Sequence, residues 1–270
     1  MVQQMPQLSL INTNAPVKTS QSLGPVVDAA SVFAIDLQTS TPLFTKNIFS
    51  KRSIASITKL VTAMVILDNH TNLDEVVTVS ANASNQEGSK MWLRNGEKMT
   101  IKSLLTGMMV ASANDAAVAL AEFDSTSEEA FAEKMNAKAQ SLGLKQSHFT
   151  NAKGFDEPAH FSTAFDTMLF SRAATTYPFI RELALKKTAE VKSESGDVTH
   201  KLESTDLLLD NPYFKILGLK TGTTPLAGES VVSLAQLSNG REVLVVILGS
   251  PDRFKETKIM LEWIERNYKF

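Results

Sequence analysis

Ser56 and Lys59 stand three residues apart in "SIASITKLVTAMVILDNH" (Ser53–His70), an otherwise apolar, helix-favouring stretch. Positions i and i+3 of a helix share a face, so the ammonium can reach the hydroxyl. A serine becomes a nucleophile when an adjacent base takes its proton. A lysine can be that base when burial and nearby positive charge make its charged form costly. The pair also has an ordinary reading. Serine commonly caps a helix start, and lysine commonly lies over apolar neighbours with its charge in water. Alone, the spacing is therefore unspecific.

Two further groups could complete such chemistry. Ser112 and Asn114, in "VASANDAAVAL", interrupt a helical pattern between two apolar stretches. Side chains at such a break can be turned into a cleft from rigid supports. A second Ser-x-Asn, Ser80 to Asn82, follows extended "VVTV" and leads into polar sequence, so context separates the copies. Lys220, Thr221, Gly222 and Thr223 close the strand-like "ILGLKTGTT". The lysine supplies positive charge, the threonine a donor, and the glycine lets another backbone approach closely. A peptide carboxylate laid along that strand would use all three features.

The elements that must position these groups follow from composition and period. The chain has 270 residues, 43% hydrophobic and 21% charged, with net charge −2. That is ample for a core and gives no basic footprint for nucleic acid. No apolar run is long enough to span a bilayer. With no cysteine there is no thiolate metal site, and His70, His148, His160 and His200 show no metal-binding spacing. No metal or other cofactor is expected.

Residues 1–24 are polar and lack any period, which predicts a flexible leader. They lack the basic start and apolar run of an export signal. "SVFAIDLQTSTPLFTKN" predicts two strands around a turn, followed by a helix over 53–69. Residues 100–123 predict helix, interrupted at Gly107 and at "SAND". Helices are also expected over 127–143 and 162–178. Three strands then end the pattern, the last two joined by an Asn-Gly turn, before a closing helix with Phe254, Leu261, Ile264 and Tyr268 on one face. This is α+β: an antiparallel sheet of about five strands flanked by helices, with a helical subdomain inserted in the middle. The expected division is a single catalytic domain over 25–270. Its sheet part is 25–75 and 200–270, and its mostly helical part is about 76–199.

The order Ser-x-x-Lys, Ser-x-Asn, Lys-Thr-Gly is the set found in class A β-lactamases and penicillin-binding proteins. With it, "SITKLVTAMVIL", "LRNGEKMTIKSLLTGMMVASANDAAVALAE", "FTNAKGFDEPAHFSTAFDTMLFSRA" and "GLKTGTTPLAG" resemble the serine D-alanyl-D-alanine carboxypeptidases among low-molecular-mass penicillin-binding proteins. The resemblance runs from about Val27 to Tyr268 and implies the β-lactamase/DD-peptidase-like fold. It implies that Ser56 attacks the carbonyl between two D-alanines, with Lys59 as base. Ser112 relays a proton to the leaving amine, and Asn114 holds the substrate amide. Lys220, Thr221, Gly222 and Thr223 bind the terminal carboxylate, and the N–H groups of Ser56 and Thr223 form the oxyanion hole. The implied partners are peptidoglycan pentapeptide stems, with β-lactam antibiotics as covalent inhibitors. The implied location is outside the cytoplasmic membrane, after removal of a signal or anchor.

Two alternatives keep the residues but change the outcome. A class A β-lactamase needs a deacylating glutamate with an asparagine close behind it; Glu157 falls in the region, but His160 and Phe161 follow it. A non-catalytic muropeptide-binding homologue would bind without turnover. Cleavage of cross-links, an endopeptidase action, uses the same acyl-enzyme. Glu229, beside the carboxylate site, is expected to point to solvent, and Asp166 to serve as a first-turn helix acid.

Overall fold

The computed structural model describes residues 15–270. Chain order begins with β1 (Val17–Lys18), β2 (Ser31–Asp36), β3 (Pro42–Lys46), a 3-10 turn (Ala55–Thr58) and α1 (Lys59–Asn69). It continues through β4 (Val76–Thr78), α2 (Ala81–Ser84), β5 (Lys98–Thr100), α3 (Ile101–Val110), α4 (Asn114–Ser125), α5 (Glu128–Ser141), α6 (Ala164–Ala174) and α7 (Pro178–Ala184). The last part holds β6 (Thr188–Lys192), β7 (Thr199–Glu203), a 3-10 turn (Leu207–Asp210), β8 (Lys215–Thr224), β9 (Gly228–Gln236), β10 (Glu242–Ser250), α8 (Arg253–Asn267) and β11 (Tyr268–Lys269).

The main sheet has the order β3-β2-β10-β9-β8, every pair antiparallel. Its central strands read as continuous apolar runs because both faces are covered. Side chains alternate across each strand. Phe33, Ile35, Val232, Leu234, Leu244 and Val246 join the large core shared with α1, α3, α4, α5 and α6. Val32, Ala34, Val231, Val245 and Ile247 face Met260, Leu261 and Ile264 of α8. The expected α8 stripe is therefore core: Leu261 and Ile264 are fully buried, and Phe254 and Tyr268 pack at its edge. The large core runs without interruption from the sheet through α1 into the helical region. The two expected parts thus share one interior.

Three details depart from the sequence reading. First, residues 1–14 of the expected leader lie outside the described residues, but the leader's end is tied down. Val17 and Lys18 pair with Lys269 and Tyr268, and Trp263 Nε1 donates to Ser22 Oγ at 2.8 Å. Two paired residues and side-chain bonds leave no apolar period to read. Second, the helix expected from Ser53 begins as a 3-10 turn, and α-helix starts only at Lys59. Ala55 has φ +49°, which an α-helix cannot accommodate. Third, Gly107 does not break α3. A Cβ there would lie 2.3 Å from Met91 Sδ, so the glycine serves close packing inside a helix.

Two further antiparallel pairs, β4–β5 and β6–β7, lie outside the main sheet; β6 alternates exposed and half-buried residues and β7 exposed and buried ones, so neither shows a strong apolar run in the sequence. Gly143 (φ +74°) follows the Leu142 cap of α5, near the end of the helix expected over 127–143. Asp166 lies in the first turn of α6 and accepts from Gln146 N–H at 2.7 Å and Ser147 Oγ at 2.8 Å. No helix among the described residues is long and apolar enough to cross a membrane.

Candidate active site

Ser56 sits on the 3-10 turn that precedes α1, next to the left-handed Ala55. Two glycines allow that conformation. A Cβ on Gly154 would stand 2.0 Å from the Ala55 carbonyl oxygen, and one on Gly222 would stand 2.8 Å from the Ser56 nitrogen. Strand β8 therefore passes directly against the Ser56 N–H, which only glycine permits.

Lys59 is fully buried, and its Nζ has three partners: Ser56 Oγ at 2.7 Å, Asn114 Oδ1 at 2.8 Å and the Lys153 carbonyl oxygen at 2.7 Å. Two of these can only accept. A neutral amine must therefore spend its two N–H groups on Asn114 and Lys153, which leaves its lone pair facing the Ser56 hydroxyl. Burial holds the Lys59 ammonium well below the ordinary lysine range, and the charges of Lys220 and Lys153 add to this against Asp115 and Glu128. Lys153 itself is ion-paired with Glu128 at 2.8 Å.

Asn114 opens α4, immediately after the break. Its N–H donates to the Ser89 carbonyl at 2.7 Å and its Nδ2 to the Glu87 carbonyl at 2.6 Å, which turns Oδ1 toward Lys59. Ser112 is buried with φ +57°, a left-handed corner that ends the α3 direction. The other Ser-x-Asn copy is unrelated: Ser80 caps α2 by accepting from Ala83 N–H at 2.9 Å.

Lys220 lies on β8, buried, with Nζ donating to the Thr221 carbonyl at 3.1 Å. Burial pushes it down to about 7; Arg253 lowers it further and Asp206 opposes. Thr221 Oγ1 is 2.6 Å from Thr205 Oγ1. Arg253, at the start of α8, donates from Nη1 to the Gly222 carbonyl at 3.0 Å and to Thr223 Oγ1. The structure thus brings Ser56, Lys59 and Asn114 into direct hydrogen bonding and sets Gly222 against Ser56.

Sequence reasoning missed Arg253, Lys153, Thr205 and Asp206. In "SPDRFKET" an arginine at a helix start reads as surface charge; only the packing of α8 against β10 and β9 brings its side chain to β8. Glu229 does not simply face solvent. It lies across from Thr223 in the β8–β9 pairing, and its Oε2 accepts from Arg253 N–H at 3.1 Å. Glu157 is exposed, accepts from Asn151 Nδ2 at 3.0 Å, and takes no part in the Lys59 hydrogen bonds. His160 is buried and pushed down to about 4 by that burial. Its Nδ1 accepts from Thr150 N–H at 3.2 Å, so Nε2 is the nitrogen that donates to Thr58 Oγ1 at 2.8 Å. Among the described residues no group of three or more histidine or acidic side chains is placed to hold a metal.

A helix-flanked antiparallel sheet with this arrangement along one edge is the DD-peptidase/penicillin-binding-protein fold. The crystal structure of the Streptomyces K15 DD-transpeptidase superposes with TM-score 0.83 at 29% identity, covering 91% of this chain and 100% of that one. The family described as D-alanyl-D-alanine carboxypeptidase (peptidase S11) matches residues 17–252, and the chain belongs to that family. It is similar to the D-alanyl-D-alanine carboxypeptidase DacF of Bacillus subtilis, 33% identical over 90% of this chain and 63% of DacF. Similarity to DacD of Escherichia coli is 31% over 90% of this chain and 65% of DacD. The chain therefore spans less than two thirds of those relatives. A D-alanyl-D-alanine endopeptidase of Escherichia coli is 30% identical over 95% of this chain and 83% of its own length.

Proposed function

We propose that the protein is a serine D-alanyl-D-alanine carboxypeptidase acting on the pentapeptide stems of peptidoglycan, and therefore outside the cytoplasmic membrane. The observation that carries this reading is the Lys59–Ser56 contact of 2.7 Å, with the other two Lys59 bonds made to obligate acceptors. Lys59 takes the Ser56 proton as the oxygen attacks the carbonyl between the two D-alanines. The backbone N–H groups of Ser56 and Thr223 receive the developing oxyanion. Ser112 passes a proton to the leaving amine, and Asn114 holds the amide on the donor side. Lys220 and Thr221, beside Gly222 and Thr223, bind the terminal carboxylate, with Arg253 adding positive charge. Water then releases the acyl group. A β-lactam enters as a strained amide with the same carboxylate and acylates Ser56.

The test is release of D-alanine from diacetyl-L-lysyl-D-alanyl-D-alanine. The wild type should release it and Ser56→Ala should not; equal release by both would overturn the assignment. A second reading, cleavage of D-alanyl cross-links, has support in the 30% identity to the Escherichia coli endopeptidase, of which this chain covers 83%. Both reactions proceed through the same acyl-enzyme, so the choice between them lies in the amine that the site expels.

A further inference from the structure

Trp92 is 73% exposed although its neighbours Met91 and Leu93 are buried. Its φ is +67°, an outlier for so bulky a residue. A glycine would make the same turn without strain. The turn is nevertheless held from several sides. Asp115, fully buried, accepts from Met91 N–H at 3.1 Å through Oδ1 and from Leu93 N–H at 3.0 Å through Oδ2. One carboxylate thus grips both residues that flank Trp92. His200 Nδ1 bonds the Met91 carbonyl at 2.7 Å, and the Met91 side chain packs over Gly107.

The same segment is fixed to the site. The Ser89 and Glu87 carbonyls accept from Asn114, at 2.7 and 2.6 Å. Asn114 and Asp115 are consecutive first residues of α4. The strained turn and the asparagine that bonds Lys59 are therefore parts of one rigid piece. Strain of this kind persists only where the surroundings over-determine it, and it concentrates at functional sites. Lys90 Nζ stands 4.8 Å from the indole centroid and steadies the ring further.

We infer that Trp92 is a specificity-determining residue whose indole packs against the aliphatic side chain of the residue preceding the D-Ala-D-Ala pair. This rests on the peptidase reading above. In that reading Asn114 holds the amide on the donor side, so the residue beyond that amide falls beside the segment bonded to Asn114. A rigid, exposed aromatic face buries an aliphatic chain at little entropic cost.

The test compares diacetyl-L-lysyl-D-alanyl-D-alanine with acetyl-D-alanyl-D-alanine, which lacks that side chain. The ratio of their kcat/KM values should fall about tenfold in Trp92→Ala, mainly through KM of the longer peptide, a change of ~1.4 kcal/mol. Trp92→Phe should restore most of it. A ratio unchanged in Trp92→Ala would overturn the assignment. The two tryptophans of the chain, Trp92 and Trp263, allow a direct reading. Trp263, on α8, packs with Phe44 and Tyr268. In Ser56→Ala/Trp263→Phe protein, Trp92 emission should shift with the longer peptide and not with the shorter; equal responses would contradict the proposal. A wild type that cleaves neither peptide would instead overturn the peptidase reading, and this assignment with it.

Discussion

The side-chain amide of Asn114 is turned so that its oxygen accepts from Lys59 at 2.8 Å while its nitrogen donates to the Glu87 carbonyl at 2.6 Å. The neutral amide asks nothing of the Lys59 charge. Asn114→Asp would put a carboxylate there, and an adjacent opposite charge favours the ammonium. Acylation at pH 7 should drop by about a hundredfold or more, the lower range for loss of a general base. The acid limb of the acylation rate should move to higher pH. A stopped-flow pH profile with a chromogenic β-lactam checks both; an unmoved limb would refute the role given to Lys59.

On the proposed mechanism, Lys220 sets the opposite limb. Its ammonium, pushed down to about 7, is charged below that pH and loses its charge above it. Carboxylate binding by the free enzyme should therefore weaken as pH rises through about 7. That decline appears in kcat/KM, which reports groups of the free enzyme. Lys220→Arg carries a charge that persists at any working pH. Its activity should be lower at neutral pH because the buried slot is filled differently, but the alkaline decline should vanish.

Gly154→Ala tests the shape of the turn that carries Ser56. The new Cβ would meet the Ala55 carbonyl oxygen at 2.0 Å, and φ at Gly154 is +85°. Backbone must shift, at a cost of about 2–3 kcal/mol from strain and overlap together. Thermal unfolding should register the loss. Acylation should fall further than stability explains, because the displaced Ala55 carbonyl belongs to the turn that carries Ser56.

His160 gives the fold an acid sensitivity separate from catalysis. Its folded value is about 4, below the ordinary 6.5. Between those values the unfolded chain binds the proton and the folded chain does not, so stability falls as pH drops from about 6.5 toward 4. The contribution lost between pH 7 and pH 5 is about 2 kcal/mol. Urea unfolding at the two pH values should show this in the wild type. His160→Gln, which keeps a donor and an acceptor without titrating, should lose much less.

Much of this arrangement is legible from residue order because its parts carry local signals. The apolar runs of β2, β9 and β10 announce a sheet covered on both faces, and the Asn239–Gly240 turn announces a hairpin. Ser56 and Lys59 stay neighbours whether the turn between them is 3-10 or α, since both place i and i+3 together. Arg253, Thr205 and Lys153 are different. Each reaches the site through long-range packing, and nothing within a few residues of them marks that destination. The left-handed turns at Ala55, Ser112 and Trp92 were likewise hidden, because none is glycine or asparagine. Their conformations are imposed by tertiary contacts and not by local preference.

The most direct test of the central claim is intact-mass spectrometry after brief exposure to benzylpenicillin, on the wild type and on Ser56→Ala. The account predicts one added penicilloyl mass on the wild type, persisting for minutes and mapping to Ser56, with no adduct on the variant. An adduct that forms equally on Ser56→Ala, or none on a wild type that leaves the drug intact, would contradict it.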